Sequence, residues 1–342
     1  MKIIFIIIIA LLANFTNIKA QDISYEKRPA QISLVYPIGT SGKNSVHQEF
    51  AFSVNLLAGA TGQVKGFEMA GLGNINKRNS KGFQMAGIWN ITQANFTGAR
   101  LAGLFNITRQ KSVGFQAAGL FNHSKDSVNG ISIAGLFNNV SGKTSGVQVA
   151  GLFNKTKILR GIQLSVLNVA DTVEGGMSIG LINIVKKGGH SEWELSFSDY
   201  QNIGISFKHG TRVFYNIYNI GFNVNADKLW SAGFGFGHLQ KISSRFNFQP
   251  EAIVNTYFPS DFKEYKRTLS YRLKLGVSYN LSDNISVSAA PSIYYSDKEK
   301  GDKEGSYGHK FTSVKPLTES SNAENKSEIG LGFLVSVILR KN

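Results

Sequence analysis

Six histidines, His47, His123, His190, His209, His238 and His309, are the side chains in this chain most able to move protons or bind metal near neutral pH. None stands at a metal-ligand spacing from another, and no serine occupies a G-x-S-x-G elbow. Cysteine is absent, which removes thiolate nucleophiles, thiolate metal sites and disulfides. The expectation is therefore no catalytic residue, no metal, no cofactor and no enzyme activity. Charges on alternating positions offer a different chemistry. Arg272 and Lys274 stand two apart in "LSYRLKLGVSY" and would leave a strand on the same face. Arg100 replaces a glutamine that a repeated motif otherwise carries. Facing the lumen of a pore, such cations favour anions; paired with Glu68 or Glu194, they would be structural.

The elements that must position these residues are written in the repeat itself. "GFEMAGLGN" (66–74), "GFQMAGIWN" (82–90), "GFQAAGLFN" (114–122) and "GVQVAGLFN" (146–154) are variants of one unit. Asn74, Asn90, Asn106, Asn122, Asn138 and Asn154 recur every sixteen residues, and shortened units end at Asn168 and Asn183. Eight units thus fill residues 65–186. Glycine in each unit, among aromatic and β-branched residues, opposes a helix and predicts strands. Alternate positions sort into two faces. One carries Phe83, Met85, Gly87, Trp89 and Ile91; the other carries Gln84, Ala86, Ile88, Asn90 and Thr92.

Two architectures use such a unit. A β-solenoid coil must bend, and a bend usually resets the alternation, whereas here parity runs straight across the central Ala-Gly. A transmembrane strand needs about nine to eleven residues with apolar side chains outward, which is one unit less its turn. The apolar face also begins and ends on rings, Phe83 with Trp89 and Phe115 with Phe121, which antiparallel neighbours would gather into two aromatic girdles. The favoured reading is an all-β, antiparallel transmembrane β-barrel. A β-solenoid with a smaller β-barrel region is the alternative, and stacked asparagines suit it.

Period-two patterning continues over residues 190–342, in "WELSF", "IGISFKHG", "WSAGFGFGHL", "ISVSAAPSIYY" and "EIGLGFLVSVILRK". Before the repeats, "QISLVYPIG" and "FAFSVNLLAG" add two strands. Two, eight and eight give about eighteen strands in a single barrel domain over 21–342. The visible long connections, "TSGKNSVHQ", "PSDFKEYKR" and Asp297 to Lys326, all follow odd-numbered strands, while the tight ones follow even-numbered strands. That parity is expected when one barrel end faces outside.

Residues 1–20 read as a signal peptide: Lys2, an apolar run from Ile3 to Leu12, then a polar stretch to Ala20. No later segment is long and apolar enough to be a spanning helix. The formal net charge of +15 comes from singly scattered Lys and Arg, without a basic run or a nucleic-acid module. Outer-membrane lipid, anionic solutes or acidic glycolipid headgroups are the partners this suits, and nucleic acid is not. Asn-x-Ser/Thr triplets at Asn90, Asn106, Asn122 and Asn154 follow from the repeat and are not expected to carry glycans.

The units "GFQMAGIWN", "GFQAAGLFN" and "GVQVAGLFN" resemble bacterial outer-membrane surface-repeat proteins built on G-x-Q-x-A-G-L-x-N. "GHSEWELSF", "GTRVFYN" and "WSAGFGFG" resemble the barrel region that accompanies such repeats. The resemblance covers most of residues 30–342 and implies export to the bacterial outer membrane without implying an activity. The functional expectation is a non-enzymatic outer-membrane protein, a passive pore or a structural surface protein. The alternative is an exported repeat protein acting in adhesion or surface coating.

Overall fold

The computed structural model describes residues 26–224, 228–259, 268–299, 310–312, 314–322 and 324–340. The anticipated leader at 1–20, His309 and parts of the two longest connections lie outside the described residues. The chain is all-β and forms two separate sheets, one ending at Lys187 and the other beginning at His190. It is not an eighteen-strand transmembrane barrel, and the repeats are not barrel strands.

The repeats are parallel. Glu26–Val35 pairs in parallel with Gln48–Thr61, and each later unit stacks in register on the one before. Phe67 lies beside Phe83, Gln84 beside Arg100, and Asn90 beside Asn106. This is a β-solenoid, with one repeat forming one coil. Each coil has two short arms, such as Ser80–Ala86 and Trp89–Thr92, joined by a corner at Gly87 and Ile88. The corner takes two residues, so the in-out alternation resumes in phase after it. Ala86 and Asn90 are both buried. That even count is why unbroken parity imitated one long strand.

Glycine makes the corner possible. A Cβ on Gly87 would run into the carbonyl oxygen of Gly71 in the preceding coil, and the same holds for Gly103 on Gly87 and Gly119 on Gly103. Backbone packs directly on backbone down this column, so any side chain would wedge the coils apart.

The solenoid interior is largely polar, and the outer faces of its two arms are largely apolar. Gln84, Asn90, Thr92, Asn106 and Asn122 are at most 1 % exposed. Outside, Leu101, Leu104, Leu120, Ile133 and Leu152 are exposed, and rings stack coil upon coil. Centroids lie 6.3 Å apart for Trp89–Phe105, 5.1 Å for Phe105–Phe121 and 4.9 Å for Phe121–Phe137. At the other end of each first arm, large and small buried residues alternate by coil: Val64, Ser80, Phe96, Ser112, Val128. Such alternation fills the interior without spreading the stack.

Residues 190–340 form a closed antiparallel barrel of eight strands. In order they are His190–Ser198, Ile203–Gly210, Tyr215–Asn223, Leu229–Gly237, Phe246–Pro259, Thr268–Asn280, Ile285–Glu299 and Asn325–Arg340. The last closes on the first, from Glu192 opposite Arg340 to Ser198 opposite Leu334. Outward positions are mostly apolar, among them Trp193, Leu195, Ile205, Ile220, Leu273 and Phe333, while inward positions are mostly polar or charged, with Ile217 and Ile253 packed on Tyr215 among them. The final solenoid coil, Ile182–Lys187, abuts the second and third strands at one barrel rim.

Candidate functional site: a charged barrel interior and a polar solenoid core

Inward side chains from opposite walls meet in the barrel. Lys208 Nζ lies 2.5 Å from Glu194 Oε2 and 2.5 Å from Glu251 Oε1. Lys274 Nζ lies 3.2 Å from Glu194 Oε1 and 2.8 Å from Glu251 Oε2. The four side chains close a ring of alternating sign and zero net charge, and Tyr215 donates to Glu251 at 2.8 Å. Glu194 and Lys208 come from the first two strands, Glu251 and Lys274 from the fifth and sixth, so the ring spans the lumen. Eight strands enclose just enough room for side chains to fill.

Both sides of the ring are also occupied. Towards the rim that meets the solenoid, Glu192 takes Arg340 at 2.5 Å, His190 at 3.3 Å and Gln249 at 3.1 Å. Towards the other rim, the Arg272 guanidinium lies 3.4 Å from the Tyr200 ring centroid and 4.9 Å from that of Tyr294, and donates to Ser292 at 3.0 Å. Phe311, from the long seventh connection, enters this cluster and stacks on Tyr257 at 4.7 Å. It is held there by Asn223 donating to its carbonyl at 2.6 Å and by Thr312 donating to Asp199 at 2.8 Å.

The three cations singled out in the sequence are therefore divided. Arg272 and Lys274 do point into a barrel, but Lys274 is bonded to Glu194 and Glu251, and Arg272 is sandwiched between rings. Neither is a bare charge along a water path. Arg100 faces no lumen at all; it lies in the solenoid core, 0 % exposed, donating to Gln116 at 2.6 Å with its guanidinium 4.7 Å from the Phe96 centroid. Burial pulls its pKa down to about 9. Glu68 occupies the same column two coils earlier and accepts from Gln84 at 2.6 Å and Asn76 at 2.8 Å. Desolvation, opposed by those hydrogen bonds, raises its pKa to about 7. Gln84 stands between the two charges, so Arg100 and Glu68 do not form the direct pair anticipated as one possibility.

The aromatic candidates are also relocated. Phe83, Trp89, Phe115 and Phe121 are on the solenoid exterior, Phe83 stacked on Phe67 at 5.8 Å and Trp89 and Phe121 in the axial ring column. They run along the solenoid axis and cannot form two girdles around a barrel, because parallel coils place equivalent residues in one line.

The repeated asparagine has a structural task. Asn90 Nδ2 donates to Asn106 Oδ1 at 3.0 Å and to the Leu101 carbonyl at 2.7 Å. Asn106 and Asn122 repeat this pattern one and two coils later. The amide thus satisfies both its neighbour and a carbonyl beside the next corner, which no apolar residue can do. The triplet asparagines at 90, 106, 122 and 154 are buried and committed to this ladder. The ladder starts from Asn55, and at its far end Asn183 donates to Asn216, an outward-facing residue of the third barrel strand. Asn216 in turn donates to the carbonyls of Gly180 at 2.8 Å and Leu181 at 3.1 Å. The barrel wall therefore caps the solenoid.

Lys208, Glu251 and Asn216 were missed in the sequence. Reading alternate positions of "IGISFKHG" places Lys208 on the face opposite Ile203 and Ile205, a signal for an inward charge. Nothing local marks Asn216 as the end of a ladder that begins about 160 residues earlier. Among the described residues no group of three His, Asp or Glu converges as a metal shell; His238 Nδ1 lies 2.9 Å from the Val213 carbonyl, and His190 sits beside Glu192. No family model matches this chain, and neither a curated protein nor a solved structure does.

Proposed function

We propose that this protein is a non-enzymatic bacterial outer-membrane protein in which a closed eight-strand barrel anchors a β-solenoid to the envelope. The observation that carries this reading is the inverted polarity of the barrel. Its outward wall exposes Trp193 (54 %), Ile220 (62 %) and Phe333 (53 %), while Glu194, Lys208 and Glu251 are buried inside. In water such a wall would aggregate, whereas in a bilayer it is the matched surface. The strands close without an edge, as a sheet that spans a bilayer requires.

The occupied interior favours a structural anchor over a passive pore. A neutral ring across the lumen gives an anion neither a free cation nor space. The connections at 211–214, 238–245 and 281–284 share the rim with the solenoid, and the longest connection, 300–324, leaves the other. Bacterial barrels keep short turns on the periplasmic side and longer loops on the other, so the solenoid belongs on the periplasmic side. Sodium carbonate extraction of membranes should leave the protein in the pellet, and unheated samples should migrate differently from boiled ones in gel electrophoresis. Reconstituted in planar bilayers it should add no ion conductance. A monodisperse, detergent-free protein would refute the membrane reading, and steady conductance would refute the closed anchor.

A further inference from the structure

Two apolar faces of the solenoid meet at the Gly-Leu corner, and nothing among the described residues covers them. Leu72, Leu104, Leu120, Leu136, Leu152 and Leu181 form the corner column, each between 38 % and 57 % exposed. On one side of it run Leu101, Ile133 and Leu164; on the other runs the ring column from Trp89 to Phe153. The turn that closes each coil is different in kind, carrying Arg109, Lys111, Lys125, Lys143 and Lys157. Around its perimeter the solenoid is thus apolar at one corner and basic at another.

We infer that the Gly-Leu corner and its flanking faces lie in the leaflet that surrounds the barrel, so that the solenoid rests lengthwise on the membrane. This rests on the barrel's being membrane-embedded. Continuity selects the occupant. The corner column ends on the barrel wall itself, where Tyr218, an outward residue, donates from its hydroxyl to the Leu181 carbonyl at 2.6 Å. Ile220, two residues further along that strand, is 62 % exposed on the same wall. Whatever medium bathes Ile220 therefore meets Leu181, and the column carries the same surface away from the barrel for roughly 30 Å at about 4.8 Å per coil. An apolar stripe with rings beside it and cations away from it is also how interfacial segments divide their perimeter. The in-register stack gathers the equivalent residues of successive coils into one continuous column.

The three tryptophans allow a test in the full chain reconstituted into phospholipid vesicles, with lipids brominated near the headgroup end of the acyl chain as quenchers. One variant keeps only Trp89 (Trp193→Phe with Trp230→Phe), six coils from the barrel. A second keeps only Trp230, on the barrel wall. A third carries Lys143→Trp with all three native tryptophans replaced by Phe. Trp89 should be quenched about as strongly as Trp230, and the indole at position 143 should not be. Adding Leu104→Glu and Leu120→Glu should release Trp89 from quenching and leave Trp230 unchanged. Quenching of Trp230 without Trp89 would overturn the inference and spare the barrel reading, leaving a soluble partner or a second copy as the corner's occupant. Loss of quenching at both would overturn both, and quenching at all three would overturn one-sided contact.

Discussion

Replacing Asn122 by Leu removes one rung from the middle of the asparagine ladder while keeping the branching and heavy-atom count of the side chain. Asn122 accepts from Asn106 at 2.9 Å and donates to Asn138 at 3.0 Å and to the Ile133 carbonyl at 2.7 Å. Asn106 would keep its bond to the Ala117 carbonyl, and Asn138 Oδ1 would keep the Ser132 hydroxyl. The carbonyl of Ile133 would lose its side-chain donor. Three hydrogen bonds at about 1 kcal/mol each give a loss of ~3 kcal/mol. At 1.4 kcal/mol per decade this is about a hundredfold in the equilibrium for local opening. Coils contact only their neighbours, so the effect should concentrate where the rung was. Hydrogen exchange in detergent micelles, read by mass spectrometry, should show amides of 96–140 exchanging about a hundredfold faster than in the parent protein. Amides of the barrel strand Thr268–Asn280 should be unchanged. A change of less than about threefold in 96–140, ~0.6 kcal/mol, would show that the ladder records the stacking of the coils without stabilising it.

Three further outcomes follow from buried charge and close packing. Glu68 holds its proton more tightly in the folded chain, with a pKa near 7 against 4.5 in the unfolded one, so the folded state binds more protons between those values. Its contribution to stability therefore falls as pH rises from about 4.5 to 7 and is flat above, by ~3 kcal/mol at most. Glu68→Gln should abolish that slope in thermal melts between pH 4.5 and 8; an unchanged slope would place the titration elsewhere. Gly119→Ala puts a methyl group against the Gly103 carbonyl in a stack that cannot shift one coil alone, and should cost at least ~1–3 kcal/mol, seen as a lower midpoint in limited proteolysis. Lys274→Met leaves Glu194 and Glu251 to share Lys208, which should cost ~3–5 kcal/mol in the urea midpoint of the heat-modifiable band. Adding Glu251→Gln should restore part of it, and a fully stable Lys274→Met would mean the ring is not a unit.

Much of the local structure was legible. Strand content, the sixteen-residue unit, the segregation of Phe83 and Met85 from Gln84 and Asn90, and the break between 186 and 190 all follow from spacing, because side-chain direction in a strand has period two whatever the neighbouring strand is. The identity of that neighbour was not legible. Gly87 and Ile88 turn the chain while preserving parity, so a bent coil and a straight transmembrane strand write the same pattern. The stacked asparagines were the better signal. An amide can bond an identical amide in register above and below, and only parallel coils place Asn90 beside Asn106. Arg100 shows the same limit at one residue. Its inward direction was readable, but the inside it points to is a solenoid core between Gln84 and Gln116, not a lumen.

The sequence by itself determined that this chain makes strands, which side of each is apolar, and where repeats give way to unrelated strands. Those are properties of residues two apart or sixteen apart, and the period alone expresses them. Only the tertiary structure decided that the repeats stack in parallel, that eight strands and not eighteen close, and that Lys274 meets Glu194 across 80 residues of chain. Hydrogen-bond partners and lumen width depend on which segments meet when the sheet closes. Strands in either arrangement satisfy the same alternation, so no local pattern distinguishes them.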